Sequence, residues 1–212
     1  LTVPEPAAAP TTPAAPKAPP AAAAPARERL PWFAVAAAAL TADLWSKHLV
    51  FYPETLDPAI REGQAIGRVC SWWRTVIAYN TGATFGLGSR LGPWVLCTGV
   101  AVVIVLLVRS LLRASPADRL RCFALSIVIG GAVGNLYDRA LRPLVEPDKH
   151  PGVRDFLDWY VPEETALAKW LQAHGVHNHW YTFNVADALI VSGVVLLAWK
   201  ILRERPDEKS AA

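Results

Sequence analysis

The sequence predicts a mostly α-helical membrane protein, with four transmembrane helices, a small extracytoplasmic β-cradle and a short interfacial helix. Three observations point there. Apolar runs at residues 31–52, 91–108, 122–141 and 183–202 approach the length of about 20 residues that a helix needs to cross a bilayer. Basic residues gather at alternate connections. Carboxylates sit at the ends of the apolar runs, where their cost near hydrocarbon marks a working site.

The formal net charge of +3 excludes little, but its distribution orients the chain. Arg27 and Arg29 precede the first run. Arg109, Arg113, Arg119 and Arg121 join the second to the third, and Lys200, Arg203 and Arg205 follow the fourth. The positive-inside rule places these regions and both termini in the cytoplasm, and residues 53–90 and 142–182 outside. The basic clusters are thus explained by topology, and nothing resembles a nucleic-acid module. Cys70, Cys97 and Cys122 are an odd set with no CxxC spacing, so no disulfide framework is expected.

Residues 1–29 are rich in Ala and Pro and read as a disordered or polyproline-like cytoplasmic tail. Basic residues follow this tract, so it does not read as a cleaved signal peptide; the first apolar run suits an uncleaved signal-anchor. Residues 30–203 form the transmembrane domain, and 204–212 a second cytoplasmic tail.

The first span carries Asp43 and Lys47 one helical turn apart, acid first. They form either a self-neutralising pair, with Lys47 snorkelling outward, or a pair that also shapes a site. In the polar stretch that follows, Thr75, Val76, Ile77 and Tyr79 favour a strand. Asn80-Thr81-Gly82 and then Gly86 and Gly88 favour turns, which gives the small sheet. Trp72 and Trp73 suit the membrane interface. The second span has no ionisable residue and reads as scaffold.

The third span ends in Gly130-Gly131-Ala132, which permits close helix approach. Asn135, Asp138 and Arg139 follow on one helical face, and an Asp138–Arg139 pair would knit the outer end of the bundle. Beyond it, Pro162-Glu163-Glu164 looks like a helix start. Leu167, Trp170 and Leu171 share a face and Gly175 ends the helix, which serves as a lid or as a packing element. His174, His177 and His179 read as a solvated loop, with no metal expected.

Asn184 and Asp187 lie one turn apart at the outer end of the fourth span, and Asp155 comes from the preceding loop. Two carboxyls sharing a site do not both ionise cheaply, so one keeps a proton while the other acts as base. Such a pair activates water against a carbonyl and protonates the leaving amide, with no nucleophilic Ser or Cys and no cofactor.

Four ordered blocks carry a family resemblance: Asp43-Leu44-Trp45-Ser46-Lys47; Asn80-Thr81-Gly82-Ala83-Thr84-Phe85-Gly86; Gly134-Asn135-Leu136-Tyr137-Asp138-Arg139 with Val153-Arg154-Asp155-Phe156; and Phe183-Asn184-Val185-Ala186-Asp187. Together they resemble the bacterial lipoprotein signal peptidases, or signal peptidase II, over residues 31–202. The resemblance implies an aspartyl endopeptidase of the bacterial inner membrane. It would remove the signal peptide from diacylglyceryl-modified prolipoproteins, just before the lipidated cysteine, with its site at the outer face. Prolipoproteins and membrane lipids are the implied partners, and a monomer is expected. Asp155 and Asp187 map to the catalytic dyad. Asp43, Lys47, Asn80, Gly82, Asn135, Asp138, Arg139 and Asn184 map to pocket-building positions, with Arg139 and Asn80 assigned to substrate carbonyls.

Asp138 is the rival for the dyad, set second because Arg139 stands beside it. The chain departs from the family pattern at Arg154, where an apolar residue is usual, and at Thr84, where alanine is usual. The segments between Arg139 and Asp155 and between Asp155 and Asp187 are long. Arg154, if turned inward, would lower the pKa of its neighbour Asp155. The competing readings are a silent paralogue that binds lipoprotein precursors, and a proton-coupled transporter relaying through Asp43, Lys47, Asp138 and Asp187.

Overall fold

The computed structural model describes residues 26–52, 63–82, 93–146 and 152–204. The tail expected over 1–29 lies outside them up to residue 25, as do residues 205–212, Thr84, Gly86 and Gly88. A 3-10 turn at Ala26–Glu28 leads into helix α1, Leu30–Phe51, with Pro31 in its first turn, where a missing N–H costs nothing. Strands β1 (Ala65–Cys70) and β2 (Trp73–Asn80) follow, then helices α2 (Pro93–Arg113) and α3 (Arg119–Leu136). A π turn at Tyr137–Leu141 joins α3 to the short α4, Arg142–Val145. Strand β3 (Val153–Trp159), helix α5 (Ala166–Ala173) and helix α6 (Val185–Arg203) complete the order.

Among the described residues, three stretches are long and apolar enough to cross a membrane: Trp94–Arg113, Arg119–Val145 and Val185–Arg203. The sequence suggested four. Helix α1 has the length, 22 residues or about 33 Å. Asp43, Ser46, Lys47 and His48 in its second half dilute its hydropathy. The second and third spans also run past their expected ends at 108 and 141, because Arg and Ser continue a helix as readily as they end an apolar run.

Helix α3 is the central column. It is buried almost continuously from Cys122 to Asn135, and its first turns pack Cys122, Leu125 and Ile129 against Ala36 of α1 and Leu111 of α2. Its small residues set the spacing. A Cβ on Gly131 would stand 2.6 Å from the Ala186 carbonyl oxygen of α6, and one on Gly134 would collide with the Asp43 carboxylate of α1. Helices α2 and α6 turn Val102, Val105, Leu106, Val191, Val194 and Val195 outward, as hydrocarbon-facing helices do.

The sheet has order β1-β2-β3 and is antiparallel throughout. In β2–β3, Thr75 pairs with Leu157 and Ala78 with Asp155, so β2 carries one extra residue there, a bulge beside the site. Asp155 therefore lies on a strand, not on the expected loop. Phe183 bridges to Leu157, with its N–H donating to the Leu157 carbonyl at 3.0 Å and its own carbonyl accepting from Leu157 at 2.8 Å. That bridge delivers the first turn of α6 to the face of β3. Helix α5 starts at Ala166 rather than at Pro162, because the Thr165 hydroxyl caps it by accepting from the Ala168 N–H at 3.1 Å.

The close approach at Gly131 is directly testable. Gly131→Ala should cost about 1–3 kcal/mol by overpacking, read as a lowered midpoint of thermal unfolding in detergent. Gly99→Ala on α2, where nothing lies within 4 Å of the added methyl, should leave the midpoint unchanged or raise it.

Candidate active site

The site is built where the outer end of α1, the end of α3, the sheet and the first turn of α6 converge. It starts with the helix cap. Asn184 stands in extended conformation at the N-cap of α6, and its Oδ1 accepts from the Asp187 N–H at 3.0 Å. Asp187 Oδ2 accepts in return from the Asn184 N–H at 3.3 Å, completing a capping box. The free end of the Asn184 amide is then its Nδ2, which donates to Asp155 Oδ1 at 2.6 Å and to Asn135 Oδ1 at 3.1 Å. One side chain thus holds the strand acid and the helix acid together.

Asn135 is oriented by Lys47. An ammonium only donates, and Lys47 Nζ reaches Asn135 Oδ1 at 3.1 Å, Asp43 Oδ2 at 2.7 Å and Asp138 Oδ2 at 3.0 Å. With its oxygen turned to Lys47, Asn135 presents Nδ2 to Asp187 Oδ1 at 2.7 Å. Asp43 Oδ1 accepts from the Ala186 N–H at 2.9 Å, so α1 also fixes the start of α6. Lys47 is fully buried and does not snorkel, because three acceptors inside the bundle replace its water. Both its readings survive in part: Asp43 and Lys47 pair with each other, and Lys47 also orients the site.

Asp138 is saturated with cations. Beside Lys47 it takes Arg154 Nη2 at 2.7 Å and Nε at 3.0 Å, and Arg142 Nε lies 3.7 Å away. Its partner is not Arg139, as the sequence suggested. Adjacent residues on a helical turn do not face one another, and the π turn carries Asp138 inward to Lys47. Arg139 is half-buried, and its Nε has no hydrogen-bond partner among the described residues. Arg154 also behaves otherwise than expected. It alternates to the opposite side of β3 from Asp155 and binds Asp138, so it does not hold Asp155 in its charged form.

Asn80 closes the other side. Its Oδ1 accepts from the Gly82 N–H at 2.9 Å, with Gly82 at φ +86°, and its side chain also hydrogen-bonds Asp155. A cleft of about 350 Å³ opens here, lined by Ala78, Tyr79, Asn80, Thr81, Asp155, Tyr181 and Thr182. Tyr181 and Thr182 went unnoticed in the sequence; they precede Phe183, and only the bridge to β3 brings them to the cleft. Arg154 was missed as a site support because strand alternation has no meaning until β3 is recognised, and Arg142 because the π turn that precedes it has no signal in the sequence.

Asp155 is 3% exposed, and its carboxyl is pushed up to about 7. Burial is the largest cause and the negative charge of Asp187 the second. Hydrogen bonds from Asn184 and Asn80 and the charge of Lys47 oppose them. The folded chain therefore holds this proton more tightly than the unfolded chain. The associated stability is fully present below about 3.8 and is lost as pH rises through about 7. Asp155→Asn should flatten the pH dependence of the thermal midpoint across that window; an unchanged slope would show that Asp155 does not titrate there.

A helical bundle with a small sheet, in which a strand acid and a helix acid share one asparagine beside a cleft, is the class that this fold and site define. Its solved likenesses agree in fold. Two bacterial membrane enzyme structures determined by the in meso method, at 1.9 and 2.3 Å, superpose with TM-scores of 0.58 and 0.61. They are 17% and 18% identical, covering 82% and 84% of this chain and 94% and 91% of theirs. The family model for signal peptidase (SPase) II, peptidase family A8, matches residues 35–203. The lipoprotein signal peptidase of Xanthomonas campestris pv. campestris (strain 8004) is 34% identical over 174 residues, 80% of this chain and 86% of that protein. That of Cupriavidus necator is 32% identical over 176 residues, 82% of this chain and 84% of that protein. The chain belongs to the signal peptidase II family, and it is an aspartic peptidase of that type.

Proposed function

We propose that the chain removes the signal peptide from diacylglyceryl-modified prolipoproteins, cutting just before the lipidated cysteine, with Asp155 and Asp187 as its catalytic pair. The observation that carries this reading is the single Asn184 side chain that hydrogen-bonds Asp155 and caps Asp187. Asp155 is the proton holder, since its carboxyl is pushed up to about 7. Asp187, held by Asn135 and the Asn184 backbone, takes a proton from water as the oxygen attacks the scissile carbonyl. Asp155 gives its proton to the leaving amide nitrogen as the C–N bond breaks. Asp138 is a poor substitute for either acid, because Lys47 and Arg154 occupy both its oxygens. Asn80 and Arg139 are assigned to substrate carbonyls, Arg139 because its Nε lacks a partner among the described residues.

Residues 30–203 act as one peptidase domain, a monomer with four spans. The two charged residues that lower the hydropathy of α1 most point inward: Asp43 and Lys47 are fully buried, while Leu30, Phe33, Trp45 and Leu49 face out. Its outer surface thus suits lipid better than its mean hydropathy suggests. The sheet and the acids lie at the end away from Arg113, Arg119 and Lys200, which supports cytoplasmic termini and a site at the outer face. Helix α5 leaves Leu167 and Trp170 exposed while burying Ala168, and Trp180 and Tyr181 are exposed nearby in sequence, as expected of an interfacial element.

Purified protein in detergent should cleave a diacylglyceryl-modified precursor, and Asp155→Asn and Asp187→Asn should each abolish turnover while still binding it. Full activity in either variant refutes the pair. Activity should fall on the alkaline side with an apparent pKa of about 7, as the shared proton leaves. Reporter fusions at the two termini should both report the cytoplasm; opposite sides would limit the chain to an odd number of spans.

A further inference from the structure

The aspartic dyad is held from behind by a second layer of charge, and we infer that Arg154 is a positioning residue for it. This rests on the reading of Asp155 and Asp187 as the catalytic pair. Arg154 is 6% exposed and immediately precedes Asp155 on β3, so the pleat points the two side chains to opposite faces of one strand. Its guanidinium donates twice to Asp138 Oδ1, from Nη2 at 2.7 Å and Nε at 3.0 Å, and its backbone N–H donates to Asp138 Oδ2 at 3.2 Å. Three donors from one residue thus lock the strand that carries Asp155 onto the end of the central helix.

The same aspartate receives Lys47, whose remaining donors go to Asp43 and Asn135. Asn135 in turn donates to Asp187. Arg154 therefore touches both acids indirectly: Asp155 through the backbone, and Asp187 through Asp138, Lys47 and Asn135. Without the guanidinium, the buried Asp138 draws Lys47 away from Asn135. The Asn135 amide is then free to turn, and Asp187 loses the fixed donor to its Oδ1.

Arg142 shows that the segment preceding β3 takes part in the same clamp. It is 2% exposed, it lies 3.7 Å from Asp138 through Nε, and its Nη2 donates to the Gly152 carbonyl at 2.9 Å, one residue before β3. Gly152 itself is at φ +109°, and a Cβ there would stand 3.0 Å from the Asn80 carbonyl. Arg142 thus links Gly152, at the start of β3, to the carboxylate that Arg154 holds.

The test uses the full-length protein in detergent with a diacylglyceryl-modified prolipoprotein. Arg154→Leu should lower kcat by about 10- to 100-fold, the cost of displacing a reacting group by a fraction of an ångström to one ångström, with KM within about twofold. Arg154→Lys, which keeps the charge but not the forked geometry, should recover part of that loss. Unchanged kcat with only a lower thermal midpoint would make Arg154 a fold staple and overturn the inference. Should Arg154→Leu fail to fold, Arg154→Lys decides: a reduced kcat at wild-type KM supports positioning, and a wild-type kcat overturns it. Wild-type activity with a silent Asp155→Asn and an unaffected Arg154→Leu sinks this inference alone, whereas an inactive wild type removes the dyad reading and this inference with it.

Discussion

The ammonium of Lys47 is the constraint on which the rest of the site depends. It is fully buried, can only donate, and has each of its donors taken by Asp43, Asp138 and Asn135. A charge removed from water without partners costs several kcal/mol, so its position fixes the positions of all three acceptors. Asp43 then ties α1 to the first N–H groups of α6, Asp138 ties it to the sheet through Arg154, and Asn135 carries the orientation to Asp187. One cation and two buried carboxylates would leave surplus negative charge in a poor solvent for it. The guanidiniums of Arg154 and Arg142 offset that charge on the side facing the sheet.

This layer of full-strength ion pairs separates two kinds of acid. Asp138 is surrounded by cations, whereas Asp155 meets amides and a second acid. Asp155 is pushed up to about 7, because burial and the charge of Asp187 outweigh two hydrogen bonds and the charge of Lys47. The fold thereby places a carboxyl group that costs stability when ionised at the edge of a cleft of about 350 Å³. Strand and helix each contribute one acid, and the Phe183 bridge sets their spacing.

Much of this was legible in the chain. Apolar runs gave the helices to within a few residues, and the spacing of Asp43 to Lys47 and of Asn184 to Asp187 gave true one-turn contacts. Strand β2 was visible in Thr75, Val76, Ile77 and Tyr79. Strand β3 was hidden, because Val-Arg-Asp-Phe-Leu-Asp-Trp is buried on both faces and shows no clean alternation of apolar and polar residues. Missing it hid the direction of Arg154 and with it the true partner of Asp138. The spacing of Asp138 and Arg139 misled for a related reason: an α-helical register was assumed across a segment that widens into a π turn. Mean hydropathy understated α1 because it counts Asp43 and Lys47, which turn inward and are fully buried.

As the proposed catalytic pair, Asp155 and Asp187 hold one proton between them near neutral pH, with Asp155 as its owner. Difference infrared spectroscopy of the wild-type protein against Asp155→Asn reads that proton directly. A protonated-carboxyl C=O band is expected in the wild type and absent from the variant, fading with an apparent pKa of about 7. Carboxylate bands alone at Asp155 well below that pH would contradict it.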